Sequence, residues 1–312
     1  MGKNKNRNTG EKFDSFYNDH FGFRLRLVTF NTHLHASLFG ISCVPRVIIG
    51  KYGWLFHNDY GPADPRGCAG WHGYNPYSLD QLMAIQKHLE DESAWFAKRN
   101  ITFLILPCPE KISIYPEFLP WRFNTVVGPS RLAQIFNHMK LHSKLQLVDI
   151  RQALLSAKKS QELNVFYKTD YHWNNVGAFF AYEEIMKRLL VVYPHFVPHR
   201  YQEFDQDRQW KTHGDLADVA SLDMFEIFEH KLVPRPNVSF DTLGAKKGKL
   251  LIFGDSFSAF YLDGYLRRHF HNINISRDIR SAISKLDKKV VLEYRPDVVI
   301  LESVERCWVR PH

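Results

Sequence analysis

Apolar positions along the chain follow two alternating patterns. One is a helical spacing, as in Leu79–Arg99, and the other is a run of consecutive apolar residues, as in Ile101–Leu106, which is typical of a strand buried on both faces. Further helices are predicted at Arg131–His142, Asn174–Val192, Phe257–Phe270 and Ala282–Glu293, and further strands at Leu145–Ile150, Lys249–Phe253, Ile273–Ile275 and Asp297–Leu301. This alternation predicts right-handed βαβ units, and therefore a three-layer α/β/α fold with a parallel central sheet.

The first part of the chain has a different pattern. Residues 13–39 carry an apolar face at near-helical spacing, which is broken at Gly22. Two short apolar segments, Arg46–Gly50 and Trp54–Phe56, are separated by Lys51–Gly53, and this arrangement predicts a β-hairpin.

The two patterns predict two parts of the protein. Residues 1–78 form a helix-plus-hairpin extension, which packs on a main domain at residues 79–312. Within the main domain, residues 194–246 are rich in charge and interrupted by prolines. Because long irregular segments in compact domains usually carry function, we expect this excursion to supply functional loops.

Composition is that of a globular protein, and the net charge limits the classes of partner that the protein is expected to bind. The 312 residues are 45% hydrophobic and 24% charged, which excludes a disordered tail, a collagen-like repeat and a disulfide-dense miniprotein. The net charge of +8 favours an anionic partner such as nucleic acid, a membrane surface or an acidic polymer. The charge is diffuse and no nucleic-acid-binding motif accompanies it, so we expect no nucleic acid.

The cysteines and histidines do not predict a metal centre. Cys43, Cys68, Cys108 and Cys307 have no CxxC or other metal-ligand spacing, and both disulfides and free thiols remain open. The 16 histidines form no HExxH-like arrangement. We therefore expect neither a metal nor another cofactor.

The hydropathy of the chain predicts no membrane span. No stretch reaches the roughly 18 consecutive apolar residues that a span needs. The basic start is not followed by the apolar core of a signal peptide, so no intact signal peptide is expected. The chain can still be the mature or truncated part of an anchored protein.

The first candidate for chemistry is a serine at the end of a predicted strand. The apolar run of Lys249–Phe253 leads into Gly254-Asp255-Ser256, and a helix is predicted directly afterwards. Ser256 would lie at the carboxyl end of a parallel strand, where open α/β sheets bind ligands and where a helix N-terminus favours an oxyanion. The alternative is that Ser256 is an ordinary helix N-cap.

The second candidate is Asp170-Tyr171-His172, which immediately precedes the long predicted helix. Residues two apart on an extended segment point the same way, so the carboxylate of Asp170 can fix the tautomer of His172 while the imidazole takes a proton from Ser256. The alternative is a histidine satisfied in a local turn. Together the two motifs supply the nucleophile, the base and the acid of a catalytic triad.

Gly-Asp-Ser together with Asp-x-His-Trp resembles the SGNH-hydrolase-like proteins of the AlgJ/AlgX type, the alginate O-acetyltransferase group. Five further segments resemble that group in order and spacing: Phe16–Arg24, Ile49–Phe56, Pro107–Pro120, Gly214–Leu216 and Pro296–Arg306. The resemblance implies a circularly permuted SGNH fold, in which the Asp/His block precedes the serine block. It also implies Ser256 as nucleophile, His172 as base and Asp170 as the residue that orients it.

The resemblance leaves the second oxyanion donor unassigned, because no GxND segment is present. Arg306 is a candidate for that role, and an ion pair with Glu302 or Glu305 is the alternative. Trp173 and Trp210 are candidates for binding a sugar, since aromatic faces pack on sugar rings.

Other residues that match the group have weaker assignments. Hairpin packing is the preferred interpretation for Trp54 and Phe56, and a structural role is preferred for Lys111 and Tyr115. The His213-Gly214-Asp215 segment is a candidate substrate-side loop that reaches the site.

The function that the resemblance implies is an O-acetyltransferase that uses a serine acyl-enzyme to acetylate an extracytoplasmic polysaccharide. The expected partners are a carbohydrate polymer and a membrane-bound acyltransferase that delivers the acyl group. The expected location is periplasmic or otherwise extracytoplasmic, with membrane anchoring in a longer chain. Two alternatives remain open, a carbohydrate acetyl-esterase with the same triad and a non-catalytic carbohydrate-binding scaffold.

Overall fold

The computed structural model describes residues 24–58, 69–123, 125–145, 147–160, 164–211, 214–222, 227–235, 248–277 and 285–308. The helices are α1 (Arg24–Phe39), α2 (Ala69–His72), α3 (Leu79–Ala97), α4 (Lys111–Ile114), α5 (Arg131–His142), α6 (Arg151–Ser160), α7 (Asn175–Val192), α8 (Asp215–Ala220), α9 (Asp263–Leu266), α10 (Lys288–Tyr294) and α11 (Glu305–Trp308). The strands are β1 (Val47–Ile49), β2 (Leu55–His57), β3 (Thr102–Cys108), β4 (Phe204–Lys211), β5 (Ile227–Pro234), β6 (Lys249–Phe253), β7 (Asn272–Ser276) and β8 (Val298–Val304).

The centre of the protein is a four-stranded parallel sheet in the order β3-β8-β6-β7. Runs of consecutive apolar residues form much of β3, β6 and β8 because both faces of these strands are covered, whereas the edge strand β7 alternates polar and apolar residues. Leu250 and Ile252 belong to one hydrophobic cluster, whereas Leu251 and Phe253 belong to another on the opposite face. Helices cover each face, so the prediction of an α/β fold with a parallel central sheet is confirmed.

Polar caps begin the helices that flank the sheet. Ser78 and Gln81 form a reciprocal capping box at the start of α3. Ser130 caps α5 and Asn174 caps α7, each by accepting a backbone N–H of the first turn. None of the described helices is both long and apolar enough to cross a bilayer.

The predicted hairpin is present as β1 and β2, which pair antiparallel on either side of a 3₁₀ turn at Lys51–Gly53. Trp54 and Phe56 are buried in the same hydrophobic cluster as the sheet, and the Trp54 ring stacks on Phe118 with centroids 4.8 Å apart. The interpretation of these aromatics as hairpin packing is therefore correct. The boundary between the extension and the main domain at residue 78 stays a prediction.

Three predicted elements differ from the structure. The described residues of Leu145–Ile150, which leave out Gln146, contain no strand: the Val148 N–H bonds to the Ile105 carbonyl at 2.8 Å, but no ladder forms. Its buried apolar side chains give the sequence pattern of a strand, although the segment does not pair with a neighbouring strand. The helix expected at Phe257–Phe270 is shorter and contains a π-helical turn at Ser258–Leu262. The helix expected at Ala282–Glu293 begins at Lys288, which Asp287 caps.

Two further predictions concern segments that the structure describes only in part. The excursion contains an antiparallel hairpin of β4 and β5, together with α8, so it is more regular than a set of loops. The part of the N-terminal helix predicted before Arg24 lies outside the described residues.

The state of the cysteines, which the sequence leaves open, is described for part of the set. Cys43 and Cys108 carry free thiols, and Cys68 lies outside the described residues.

Candidate active site

Ser256 lies at the carboxyl end of β6, in a turn that is tied to the neighbouring strand. Asp255 accepts a hydrogen bond from the Phe257 N–H at 2.9 Å through Oδ1, and from the Val304 N–H at 3.0 Å through Oδ2. The first contact is local and the second reaches the end of β8, so one carboxylate holds the turn to the sheet. Ser256 therefore begins a helical segment in a defined direction.

A buried carboxyl group lies beneath this turn. Glu302, on β8, is fully buried and accepts hydrogen bonds from the Ser258 hydroxyl at 2.5 Å and the Asp255 N–H at 3.1 Å. Burial first, and the Asp255 carboxylate second, raise the pKa of Glu302 well above its usual range. A side chain at position 254 would lie 2.8 Å from Glu302 Oε2, and glycine therefore occupies it.

The sequence predicts no role for Glu302 beyond that of a partner for Arg306. One feature of the sequence does indicate a buried carboxyl group, since Glu302 directly follows the uninterrupted apolar run of residues 298–301 in a predicted buried strand. Such a residue needs partners that the sequence does not reveal.

Asp170 and His172 lie on a tight loop that precedes α7. The Asn174 N–H bonds to the Val165 carbonyl at 3.2 Å, and the Tyr167 N–H bonds to the His172 carbonyl at 3.3 Å. Asn174 then caps α7 by accepting the Gly177 N–H at 3.0 Å. The loop is thus closed at its base and joined directly to the start of a long helix.

The structure brings Asp170, His172 and Ser256 together, although 84 residues separate the last two. Asp170 Oδ1 lies 2.8 Å from His172 Nδ1, and His172 Nε2 lies 2.6 Å from Ser256 Oγ. Asp170 and His172 are only 3% and 2% exposed. The geometry matches the order carboxylate, imidazole and hydroxyl in which a serine nucleophile is activated.

A second carboxylate approaches the imidazole. Asp215, at the start of α8, places Oδ2 3.8 Å from His172 Nδ1, and its N–H bonds to Asp170 Oδ2 at 3.4 Å. Gly214 packs so closely on Asp170 that an added Cβ would lie 2.6 Å from the Asp170 Cβ. Gly214 and Asp215 therefore reach the site, while His213 lies outside the described residues.

The spacing of histidines and cysteines predicts no metal centre, yet a group of potential metal ligands lies at the triad. One ligand atom each from Asp170, His172 and Asp215 lie within 4.8 Å of one another, which is close enough for a cation. However, the nitrogen in this group is His172 Nδ1, which faces Asp170 Oδ1 at hydrogen-bond distance. A proton shared with that carboxylate leaves Nδ1 no lone pair for a metal.

Arg306 pairs with Glu110, so the expected pairing with Glu302 or Glu305 is wrong. Its guanidinium lies 2.6 Å from Glu110 Oε1 and 5.0 Å from the centre of the Tyr171 ring. Tyr171 in turn packs on His172, with ring centroids 4.0 Å apart and the ring planes tilted by 34°. Arg306 thus lies behind the ring that covers the imidazole, and its role as an oxyanion donor stays a prediction.

The two tryptophans proposed for sugar binding have different outcomes. Trp173 is fully buried, and its indole N–H donates to the Phe257 carbonyl at 3.1 Å. It cannot stack on a sugar, and the assignment is wrong because the side chain instead joins the histidine loop to the serine helix. Trp210 lies on β4, opposite Phe228, and its side chain lies outside the described residues.

Comparison with known proteins agrees with this architecture. The model of the SGNH hydrolase-like domain of acetyltransferase AlgX matches residues 47–291. The probable alginate O-acetylase AlgJ of Pseudomonas aeruginosa is 28% identical over 196 residues, which are 62% of this chain. The matched segment spans 44% of that relative's length.

Two solved structures share the fold. The O-acetyltransferase domain of Pseudomonas putida AlgJ has a TM-score of 0.53 and 20% identity, over 84% of this chain and 92% of that one. Bacillus cereus PatB1 has a TM-score of 0.57 and 12% identity, over 83% and 96% of the two chains. Because the family model covers most of the chain, the protein belongs to the family of the SGNH hydrolase-like domain of acetyltransferase AlgX.

Proposed function

We propose that the protein is an O-acetyltransferase that carries an acetyl group on Ser256 and transfers it to hydroxyl groups of an extracytoplasmic polysaccharide. The observation that carries the proposal is the pair of contacts, 2.8 Å and 2.6 Å, that join Asp170 to His172 and His172 to Ser256. The family's description as an acetyltransferase and the similarity to an alginate O-acetylase favour an acetyl group and a polysaccharide acceptor.

In the first half-reaction the serine becomes acetylated. His172 Nε2 takes the proton of Ser256 Oγ, which forms a bond to the carbonyl carbon of the acyl donor while the carbonyl π electrons move to oxygen. When the intermediate collapses, the bond to the donor's leaving group breaks and that group takes the proton from His172. Asp170 stabilises the imidazolium that exists between these two transfers.

In the second half-reaction the acetyl group moves to the acceptor. A sugar hydroxyl gives its proton to His172 Nε2 and attacks the acetyl carbonyl, after which Ser256 Oγ leaves and regains the proton. Backbone N–H groups of the first helical turn after β6 have no intrahelical acceptor, and the Ser256 N–H is suited to the oxyanion. Water in place of the sugar would give hydrolysis with the same residues.

The proposal includes partners that this chain alone does not contain. A membrane-bound acyltransferase would supply the acyl group, and the polymer would be extracytoplasmic, which implies a periplasmic or similar location. The net charge of +8 favours an acidic polymer. No nucleic acid and no cofactor take part in the proposed reaction.

Mass spectrometry of protein and sugar tests the proposed function directly. The protein is incubated with a chromogenic acetyl ester, with and without an oligosaccharide acceptor. We expect an acetylated protein, a sugar that gains acetyl groups, and loss of both in Ser256→Ala by several orders of magnitude, because a triad acts as a unit.

Ser143→Ala is the matched control, since this serine hydroxyl donates to Glu90 and not to a residue of the triad. It should retain acetylation. Near wild-type ester turnover in Ser256→Ala would disprove the assignment of the nucleophile. Ester hydrolysis that never produces acetylated sugar would support an esterase instead.

A further inference from the structure

Lys111 places its ammonium group against the backbone of the segment that carries Asp170. Its Nζ donates to the carbonyl oxygens of Tyr167 at 3.0 Å, Lys168 at 3.0 Å and Asp170 at 2.5 Å. The side chain comes from α4, which directly follows β3, so the contact joins the edge of the central sheet to the acid of the triad. The amino group therefore meets three carbonyl dipoles within four residues.

The surroundings of this ammonium group are otherwise apolar. Lys111 is 2% exposed, and its Nζ lies 5.7 Å from the ring centre of Trp54 and 5.3 Å from that of Phe56. Burial lowers the pKa of Lys111 to about 7, and the charges of Asp170 and Glu110 oppose that shift. A buried ammonium is costly unless its protons are satisfied, and here three carbonyls accept all three.

The other backbone groups of the segment are held by different elements. The Lys168 carbonyl also accepts the Leu55 N–H at 2.9 Å from the hairpin, and the Thr169 carbonyl accepts the Leu216 N–H at 3.1 Å from α8. Lys111 complements these bonds by holding the carbonyl of Asp170 itself. A displaced Asp170 peptide would carry its carboxylate away from the imidazole.

We propose that Lys111 is a positioning residue, which fixes the Asp170 peptide so that the carboxylate meets His172 Nδ1. The expected effect of Lys111 on the reaction rate rests on the proposed function of the triad. The placement of the Asp170 carboxylate against His172 does not. Lys111 is enclosed and lies on the backbone side of the loop, so it acts through Asp170 and not on a substrate.

The first test is kinetic. Lys111→Met keeps the length and apolar stem but removes the donors, and Lys111→Arg keeps a charge whose planar fork cannot direct three N–H groups from one atom. We expect kcat for a small acetyl ester to fall on the order of 100-fold in both variants, since a misplacement of about 1 Å costs that much. KM should change little, because no substrate contact is lost.

The second test follows the hydrogen bond and does not need activity. In the wild-type protein at low temperature, the proton between His172 Nδ1 and Asp170 should give a downfield proton resonance, identified by its loss in His172→Gln. We expect Lys111→Met and Lys111→Arg to shift or broaden this resonance. Thermal unfolding of each variant establishes that it is folded before either readout is interpreted.

Lys158→Met is the matched control. Its Nζ also donates to a backbone carbonyl, that of Ile114 at 2.7 Å, and lies over an aromatic ring, that of Tyr115 at 4.3 Å, but it does not contact the Asp170 segment. We expect this variant to lose some stability while kcat and the downfield resonance stay unchanged.

The outcomes separate this inference from the proposed function. A folded Lys111 variant with wild-type kcat and an unchanged resonance overturns the positioning role, even if Ser256→Ala is inactive. An inactive wild-type protein overturns the proposed function, and the resonance then still decides whether Lys111 positions Asp170. Equal effects in the Lys111 and Lys158 variants would show a general loss of packing and would also overturn the inference.

Discussion

At the scale of single residues, His172 lies between two carboxylates with different geometry. Asp170 Oδ1 contacts Nδ1 at 2.8 Å and is buried, whereas Asp215 Oδ2 lies at 3.8 Å and its side chain is 47% exposed. Asp170 also accepts the His172 backbone N–H at 3.0 Å, which ties the ring and the main chain to one oxygen. In the proposed reaction, the shorter and buried contact makes Asp170 the orienting carboxylate and leaves Asp215 a supporting one.

Asp170→Asn should lower kcat for an acetyl ester by on the order of 10⁴-fold, because an amide favours the wrong imidazole tautomer. Asp215→Asn should cost less than about tenfold, because a longer, more exposed contact is screened. Steady-state kinetics of both variants, with circular dichroism to verify the fold, measures the difference. A larger loss in Asp215→Asn would reverse the two roles.

At the scale of elements, the approach of α7 to the preceding loop positions the histidine. The first turn of α7 packs on the Val165 carbonyl, and a Cβ at Gly177 would lie 2.1 Å from that oxygen. Backbone atoms leave no room for adjustment, so glycine permits the close approach. Two hydrogen bonds depend on this close approach. The Asn174 N–H bonds to the Val165 carbonyl and closes the loop, and the Gly177 N–H bonds to the Asn174 side chain and caps α7.

Gly177→Ala should destabilise the protein by about 1–3 kcal/mol through overpacking, and should also lower kcat because the loop that carries His172 shifts. Gly264→Ala is the matched control, since Gly264 lies in α9 and an added Cβ there meets no atom within 4 Å. Alanine in that helix should leave stability unchanged or raise it. Chemical denaturation checks both, and equal effects of the two substitutions would contradict the prediction.

At the scale of the whole molecule, a second buried polar cluster joins α7 to the segment after α9. The Tyr182 hydroxyl contacts His269 Nε2 at 2.6 Å and accepts the His199 N–H at 2.9 Å. Burial first, and then the charges of His199 and Arg268, lower the pKa of His269 to about 4. The cluster therefore contains a histidine that is neutral in the folded protein.

This cluster predicts a loss of stability in acid. The unfolded chain has a histidine pKa of about 6.5, so between pH 6.5 and 4 it binds more protons than the folded protein. The contribution of His269 to the free energy of unfolding is therefore complete above pH 6.5 and decreases as the pH falls. At pH 5 the loss amounts to roughly 2 kcal/mol.

Urea unfolding at pH 7.5 and pH 5 tests this effect. We expect the wild-type protein to lose about 2 kcal/mol more than His269→Phe between the two pH values. His271→Gln, which changes an exposed histidine nearby, should behave as the wild type. If the free energy of unfolding fell by the same amount in the wild type and in His269→Phe, the result would contradict the prediction.

The amount that sequence could predict differs between fold and site. Regular elements with a strong period, such as β6 and α5, were predictable to the residue because burial on a sheet or helix face imposes that period. The segment Leu145–Ile150 was not, because Leu147, Val148 and Ile150 are buried without pairing into a sheet. For the site, the motif residues were predictable, whereas the roles of their neighbours were not.

The α/β alternation, the strand-end position of Ser256 and the Asp-x-His motif follow from the amino-acid sequence alone, since each depends on residues that are close along the chain. The folded structure was needed to show that Arg306 pairs with Glu110, that Trp173 is buried and that Lys111 donates to the Asp170 carbonyl. These contacts join residues far apart in sequence. Their partners are chosen by which groups share a buried space, where every charge and N–H must find an acceptor or donor.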